Sequence, residues 1–204
     1  MEKLFLFDFD GVIVDSLDVY ERRVRLCLEK MDSDIVQSRA DFLALFEDNF
    51  YEAIEKKGVD VRAFMNESKA LPIEDDYEHM IPFAPMLPVL DRLKIDHILV
   101  VISSNISNII YDILTKYRYD ALFQDVLGTE SGFSKLDKIR KAMKIFQSSE
   151  EETYYIGDTV GDMKEARLAG VKTVAVTWGW HDKDRFEKVN PDYLIETPEG
   201  LLYI

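Results

Sequence analysis

Leu4-Phe5-Leu6-Phe7-Asp8-Phe9-Asp10-Gly11-Val12-Ile13-Val14-Asp15-Ser16 is the stretch on which the reading of this chain turns. Leu4 to Phe7 form an uninterrupted apolar run with no helical period, and the run stops at a carboxylate. That pattern predicts a buried strand of a parallel sheet ending at Asp8. Asp8 and Asp10 stand two apart, so in extended backbone their side chains lean the same way, and Gly11 lets the chain turn directly afterwards. Two like charges this close are costly unless a cation or a shared proton relieves them, which points to a metal site. Asp10-Gly11 between apolar runs also matches a tight β-hairpin turn. The rest of the chain decides against the hairpin, because the same pattern recurs.

Further on, Ile98 to Ile102 is a second unbroken apolar run, ending at Ser103-Ser104-Asn105. A third, Thr153 to Ile156, ends at Gly157-Asp158-Thr159-Val160-Gly161-Asp162. Short strands are also predicted over Asp125 to Leu127 and Thr173 to Thr177. Helical periodicity lies between them, over Met86 to Lys94, from Ile106 to Leu114, and over Lys135 to Phe146. After Asp162 a helix closes at Gly170, a C-terminal glycine. The tail, Pro191 to Leu194 and Pro198 to Leu202, reads as a final short strand and helix. Strands alternating with helices predict a doubly wound α/β fold with a parallel sheet.

Residues 17 to 80 differ from this scheme. Leu17, Val24, Leu28 and Met31 share one helix face with Ser16 as N-cap, and Phe42, Leu45, Phe46 and Phe50 form a second pattern after Ser38. Shorter helices are predicted over Val61 to Ala70 and Glu74 to Met80, with no strand-like alternation. Pro82 and Pro85 then mark a return to the sheet. The organisation is therefore an α/β core of residues 1–16 and 81–204 with an inserted helical module of residues 17–80.

Composition bounds the function. The chain has 204 residues, 47% of them hydrophobic, and a formal charge of −14. It can bury a proper core, and it repels nucleic acid and anionic membranes. An anionic small molecule would have to be neutralised locally. The single cysteine, Cys27, sits in an amphipathic helical pattern and reads as a buried, inert thiol. With no signal peptide or membrane-length apolar run visible, the expected compartment is the cytoplasm. His79, His97 and His181 have no ligand spacing, and Trp178-Gly179-Trp180 either lines the crevice mouth or packs in the core.

Open α/β sheets place ligands outside the carboxyl ends of their strands. Asp8 with Asp10, Ser103 with Ser104, and Asp158 with Asp162 should therefore converge. Hard oxygen ligands in this number suit Mg²⁺, which commonly bridges to phosphate. Taken singly, Asp162 could be only the acid of a capping box with Thr159, Ser103-Ser104 only a turn, and Lys135 only a solvated helix residue. Their joint order favours a site.

With these residues in hand, the chain resembles the haloacid dehalogenase superfamily, in its phosphoglycolate-phosphatase-like branch. Asp8-Phe9-Asp10-Gly11-Val12 looks like the first motif of that family, Ser103 the second, Lys135 the third, and Gly157-Asp158 with Asp162 the fourth. The helical insertion is similar to the family's small cap of the first type. Leu136 stands where the family often has proline, which leaves Lys138 as the alternative third-motif lysine, and Ala84 stands where a glycine is common. The resemblance implies an Mg²⁺-dependent phosphohydrolase that cleaves a small phosphorylated metabolite. Asp8 would be the nucleophile, and Asp10 the acid and base. Asp8, the backbone carbonyl of Asp10, Asp158 and Asp162 would hold the metal, while Ser103, Ser104, Asn105 and Lys135 would bind the phosphoryl group. Arg39, after an inter-helix turn, falls where family members carry specificity residues. Rival readings are a phosphomutase on the same framework, a phospho-acceptor signalling module, and a catalytically silent phosphate-binding protein.

Overall fold

The structure is a computed structural model that describes residues 2–71, 78–132 and 134–204. In chain order its strands and α-helices are β1 (Leu4–Phe7), β2 (Val14–Asp15), α1 (Leu17–Lys30), α2 (Arg39–Ala44), α3 (Phe50–Lys56), α4 (Val61–Ala70), β3 (Ile81–Pro82) and α5 (Met86–Leu93). There follow β4 (Ile98–Ile102), α6 (Ser107–Lys116), β5 (Asp125–Leu127), α7 (Lys135–Phe146), β6 (Thr153–Gly157), α8 (Val160–Ala169), β7 (Lys172–Val176), α9 (Lys183–Phe186) and β8 (Tyr193–Ile195).

Six strands form one sheet in the order β5-β4-β1-β6-β7-β8, every pair parallel. Strand numbers climb outward in both directions from β1, so the connections leave β1 to opposite sides and open a crevice at its carboxyl end. Phe7 pairs with Val101 on one side and Ile156 on the other. Asp8, Ser103 and Asp158 therefore leave the sheet at nearly one level, on three adjacent strands.

The apolar runs are continuous because both sheet faces are covered. Phe5, Phe7, Leu99, Val101, Tyr154 and Ile156 point to one face, against α5 and α6, whereas Leu4, Leu6, Val100, Ile102 and Tyr155 point to the other, against α7 and α8. Each fully buried side chain of this kind contributes about 1.5–3 kcal/mol before the cost of chain ordering.

The helices α1 to α4 carry their own apolar cluster, with Val24, Leu28, Phe42, Leu45, Ile54 and Phe64, and Trp180 of the sheet's rim packs into it. Ser38 and Asp41 make a reciprocal capping box on α2, while Asn49 and Asp60 cap α3 and α4. The chain leaves the sheet at β2 and comes back at β3, and these two pair antiparallel, Val14 with Pro82 and Asp15 with Ile81.

One expectation is corrected. Ser16 holds the N-cap position of α1 but makes no cap bond. Its hydroxyl faces Asp10, close enough to lower that carboxyl's pKa but without hydrogen-bond geometry. The last helix, Pro198–Tyr203, is of the 3₁₀ type. Lys138 is fully buried. The helix expected over Glu74 to Met80 lies largely outside the described residues. Cys27 is buried, and burial pushes its thiol pKa up, as an inert group requires.

Candidate active site

β1 ends at Asp8, and the chain turns at once through Gly11, whose φ is +78°. The turn is tight for a second reason: a Cβ on Gly11 would lie 1.9 Å from Oδ2 of Asp158. Only a glycine lets the β1 turn lie against the end of β6. Asp8 is buried; its Oδ1 accepts the Phe9 amide at 2.8 Å and its Oδ2 accepts Lys135 Nζ at 2.6 Å.

Asp158 and Asp162 arrive from β6 and the first turn of α8. Asp162 is both of the things its sequence context allows. Its Oδ2 accepts the Thr159 amide and hydroxyl at 3.0 and 2.7 Å, closing the capping box, while its Oδ1 accepts Lys135 Nζ. Asp158 Oδ2 accepts the Trp180 amide at 2.8 Å, and its Oδ1 is buried with no partner. Carboxylate oxygens of Asp8, Asp158 and Asp162 lie within 4.8 Å of one another. The Asp10 carboxylate stands outside this group, but it too has a buried oxygen without a partner.

Burial dominates the electrostatics. It pushes Asp8 up to about 7, against the pull of Lys135, and Asp10 up to about 6, against the Ser16, Tyr20 and Ser103 hydroxyls and Lys135. Asp158 is driven up further by burial and by the charges of Asp162 and Asp8. The Lys135 ammonium is held well above its usual range by Asp162 and Asp8, in spite of burial. Ionised together, the three carboxylates would outnumber the one ammonium in a dry place, which is why Asp8 and Asp158 are pushed toward the protonated form. A divalent cation with oxygen ligands fits that imbalance and the orphaned Asp158 oxygen.

The choice between the two lysines follows from the helix period. Lys135 and Lys138 are three apart, hence on one face of α7, but Lys135 reaches the carboxylates while Lys138 donates to the Ser103 carbonyl at 2.6 Å. Ser103 is fully buried, and its Oγ accepts the Asn105 amide at 3.0 Å. Ser104 and Asn105 line the cavity above the carboxylates.

Arg39 is not brought to the site. It does not line the cavity, because Asp18 and Glu21 of α1 hold its guanidinium. Sequence reasoning missed Glu165. That carboxylate accepts the Ser134 hydroxyl and the Lys135 amide at 3.1 and 2.9 Å, and Asn49 Nδ2 at 3.4 Å. It fixes the first turn of α7, from which Lys135 reaches inward. Its position three residues after Asp162, on the same face of α8, was the available signal. Also missed were Tyr20 and Arg23 of α1, both lining the cavity. His181, by contrast, is a satisfied core histidine, between the Val160 amide and the Leu43 carbonyl.

Known proteins are similar to this chain. Over 204 residues the chain is 28% identical to a phosphoglycolate phosphatase of Synechococcus elongatus, covering 97% of this chain and 94% of that protein. It is 24% identical over 207 residues to the pyrophosphatase PpaX of Listeria monocytogenes, covering 98% and 94%. Among solved structures, a haloacid dehalogenase-like family hydrolase from Streptococcus pneumoniae superposes with a TM-score of 0.83 at 18% identity, covering 99% of this chain and 97% of that one. A predicted phosphatase from Clostridium acetobutylicum superposes with a TM-score of 0.86 at 19% identity over 100% of both chains. The family described as haloacid dehalogenase-like hydrolase matches residues 5–176, from inside β1 to the end of β7, and the chain belongs to that family.

Proposed function

We propose that this phosphatase cleaves a small phosphorylated metabolite with the help of Mg²⁺, by way of an aspartyl-phosphate on Asp8. The observation that carries the reading is the buried group of Asp8, Asp158 and Asp162, whose oxygens approach within 4.8 Å beside the ammonium of Lys135. The names of the relatives, a phosphoglycolate phosphatase and a pyrophosphatase, support small phosphorylated substrates. In this reading residues 1–16 and 81–204 are the catalytic core, and residues 17–80 a cap that covers it.

Phosphate monoester hydrolysis needs accelerations of up to about 10²¹-fold, whereas acid–base help supplies about 10²–10⁴. Several groups must therefore act together. Mg²⁺, held by Asp8, the Asp10 carbonyl, Asp158 and Asp162, would supply positive charge that relieves repulsion between an anionic nucleophile and an anionic substrate. A carboxylate oxygen of Asp8 forms a bond to phosphorus as the ester O–P bond breaks, and the Asp10 proton passes to the departing oxygen. With its pKa raised to about 6, Asp10 holds that proton far more readily at neutral pH than an ordinary carboxyl. In the second half Asp10 takes a proton from water, whose oxygen bonds to phosphorus as the Asp8 oxygen leaves. Lys135 offsets charge on nucleophile and phosphate. Ser104 and Asn105, on the loop that Ser103 and Lys138 steady, bind phosphoryl oxygens.

The test is phosphate release from a panel of phosphorylated metabolites, with and without Mg²⁺, by the native chain and by Asp8→Asn. Turnover should require the metal and vanish in the variant. Full activity in Asp8→Asn, or release that survives complete metal removal, overturns the mechanism.

A further inference from the structure

The cavity does not stop at the carboxylates. Its wall toward the helical module is made of Phe46, Phe50, Tyr51 and Phe64, joined by Trp180. Phe46 and Phe50 stack with centroids 5.2 Å apart and planes 20° from parallel, and Phe46 meets Trp180 edge-on at 4.7 Å. Phe50 in turn tilts against Phe64 at 5.5 Å. The rings thus form one connected surface reaching from the module to the rim of the sheet.

Charge in the same wall is mixed. Among the described residues, the cations beyond Lys135 are Arg23, which donates from Nη2 to the Ser68 carbonyl at 2.9 Å, and Lys69, exposed near the end of α4. Asp48, paired with Lys164 at 2.6 Å, and Glu165, bonded to the Ser134 hydroxyl and the Lys135 amide, line the wall as well. A phosphate or carboxylate laid against the rings would exchange water for apolar surface, which is unfavourable. A flat, uncharged ring would instead remove apolar surface from water and offer its face or edge to its neighbours.

Resting on the phosphatase reading above, we propose that the preferred substrate is a phosphomonoester whose leaving alcohol carries a planar aromatic or heteroaromatic ring. The ring lies against Phe46, Phe50 and Phe64 while the phosphoryl group reaches Asp8. It takes no part in the bond changes: the ester O–P bond breaks, and the Asp10 proton goes to the departing oxygen.

The experiment compares benzyl phosphate with ethyl phosphate, both esters of primary alcohols that differ by the ring, alongside phosphoglycolate and pyrophosphate, all with Mg²⁺. The kcat/KM for benzyl phosphate should exceed that for ethyl phosphate by at least about tenfold, the scale on which an apolar pocket discriminates. Phe50→Leu, at a half-buried position, should shrink this ratio. On the native chain, benzylphosphonate should compete more tightly than ethylphosphonate, which needs no variant to fold. Ethyl phosphate, phosphoglycolate or pyrophosphate leading the panel overturns the ring and leaves the phosphatase standing, as does a ratio unmoved by Phe50→Leu. Release from none of the four compounds overturns the phosphatase reading, and the ring with it.

Discussion

The ammonium of Lys135 lies 2.6 Å from Oδ2 of Asp8, so the residue opening the first sequence motif is held in place by one that comes 127 positions later. The same ammonium bonds Asp162, and the Glu165 carboxylate anchors its backbone. Lys135→Ala should lower kcat by about 10²–10³-fold, the size expected when a preorganised charge is taken from a dry site. It should also destabilise the metal-free chain by about 3 kcal/mol or more, because the carboxylates lose their partner. Steady-state kinetics and thermal melts check both effects. A kcat within threefold of native would remove Lys135 from the mechanism.

Gly11 cannot carry a side chain without moving Asp158. Gly11→Ala adds the strain of a positive φ to a Cβ placed 1.9 Å from the Asp158 carboxylate and 2.8 Å from the Trp180 ring. The variant should melt at a lower temperature and need more Mg²⁺ for half-maximal phosphate release. An unchanged Mg²⁺ titration would show that Asp158 does not serve the metal.

Arg39→Ala should leave kcat/KM within about twofold, since this guanidinium is occupied by Asp18 and Glu21 on the exposed side of the module. The loss of stability should be about 1 kcal/mol, because the Asp18 pair is exposed and Arg25 still holds the buried Glu21 carboxylate. A tenfold rise in KM would return Arg39 to the substrate.

The pH dependence of the metal-free chain follows from burial. Asp8 rises from 3.8 to about 7 on folding, so the folded chain binds a proton that the unfolded chain has lost between those values. Stability contributed by this group therefore falls as pH rises from about 4 to 7. The buried His181, whose pKa is lowered by burial, acts in the opposite sense within part of that range, so the comparison must be a difference. In chelator, the melting temperature of Asp8→Asn minus that of the native chain should grow from pH 4.5 to pH 7.5. A flat difference would mean that Asp8 is not held protonated by its surroundings.

The sheet was legible because its signals are local. Ile98 to Ile102 and Lys135 to Phe146 begin and end where the sequence says they should, since an unbroken apolar run and a 3.6-residue period need no knowledge of partners. Asp8, Asp158, Asp162 and Lys135 could be brought together because strand ends in such a sheet share one rim. What stayed hidden depends on docking. Lys138 lies in a helix with lysines at 135, 141 and 144, and only the packing of α7 on the sheet turns it under the Ser103 carbonyl. Arg39 looked available because its captors, Asp18 and Glu21, belong to another helix. The aromatic wall was out of reach for the same reason, as Phe46, Phe50, Phe64 and Trp180 come from separate elements and meet only in space.

Because Val14 faces Pro82 and Asp15 faces Ile81, the chain leaves the sheet for helices α1 to α4 and returns to it at one paired point, while Trp180, Glu165 and His181 hold those helices from the core by side-chain contacts alone. Both crossings share one doorway, so the helices can be rewritten, lengthened or exchanged with no strand of the sheet obliged to shift. Evolution could therefore retune what this chemistry is applied to by editing one contiguous stretch of gene, and a protein engineer could graft a foreign module at the same two couplings.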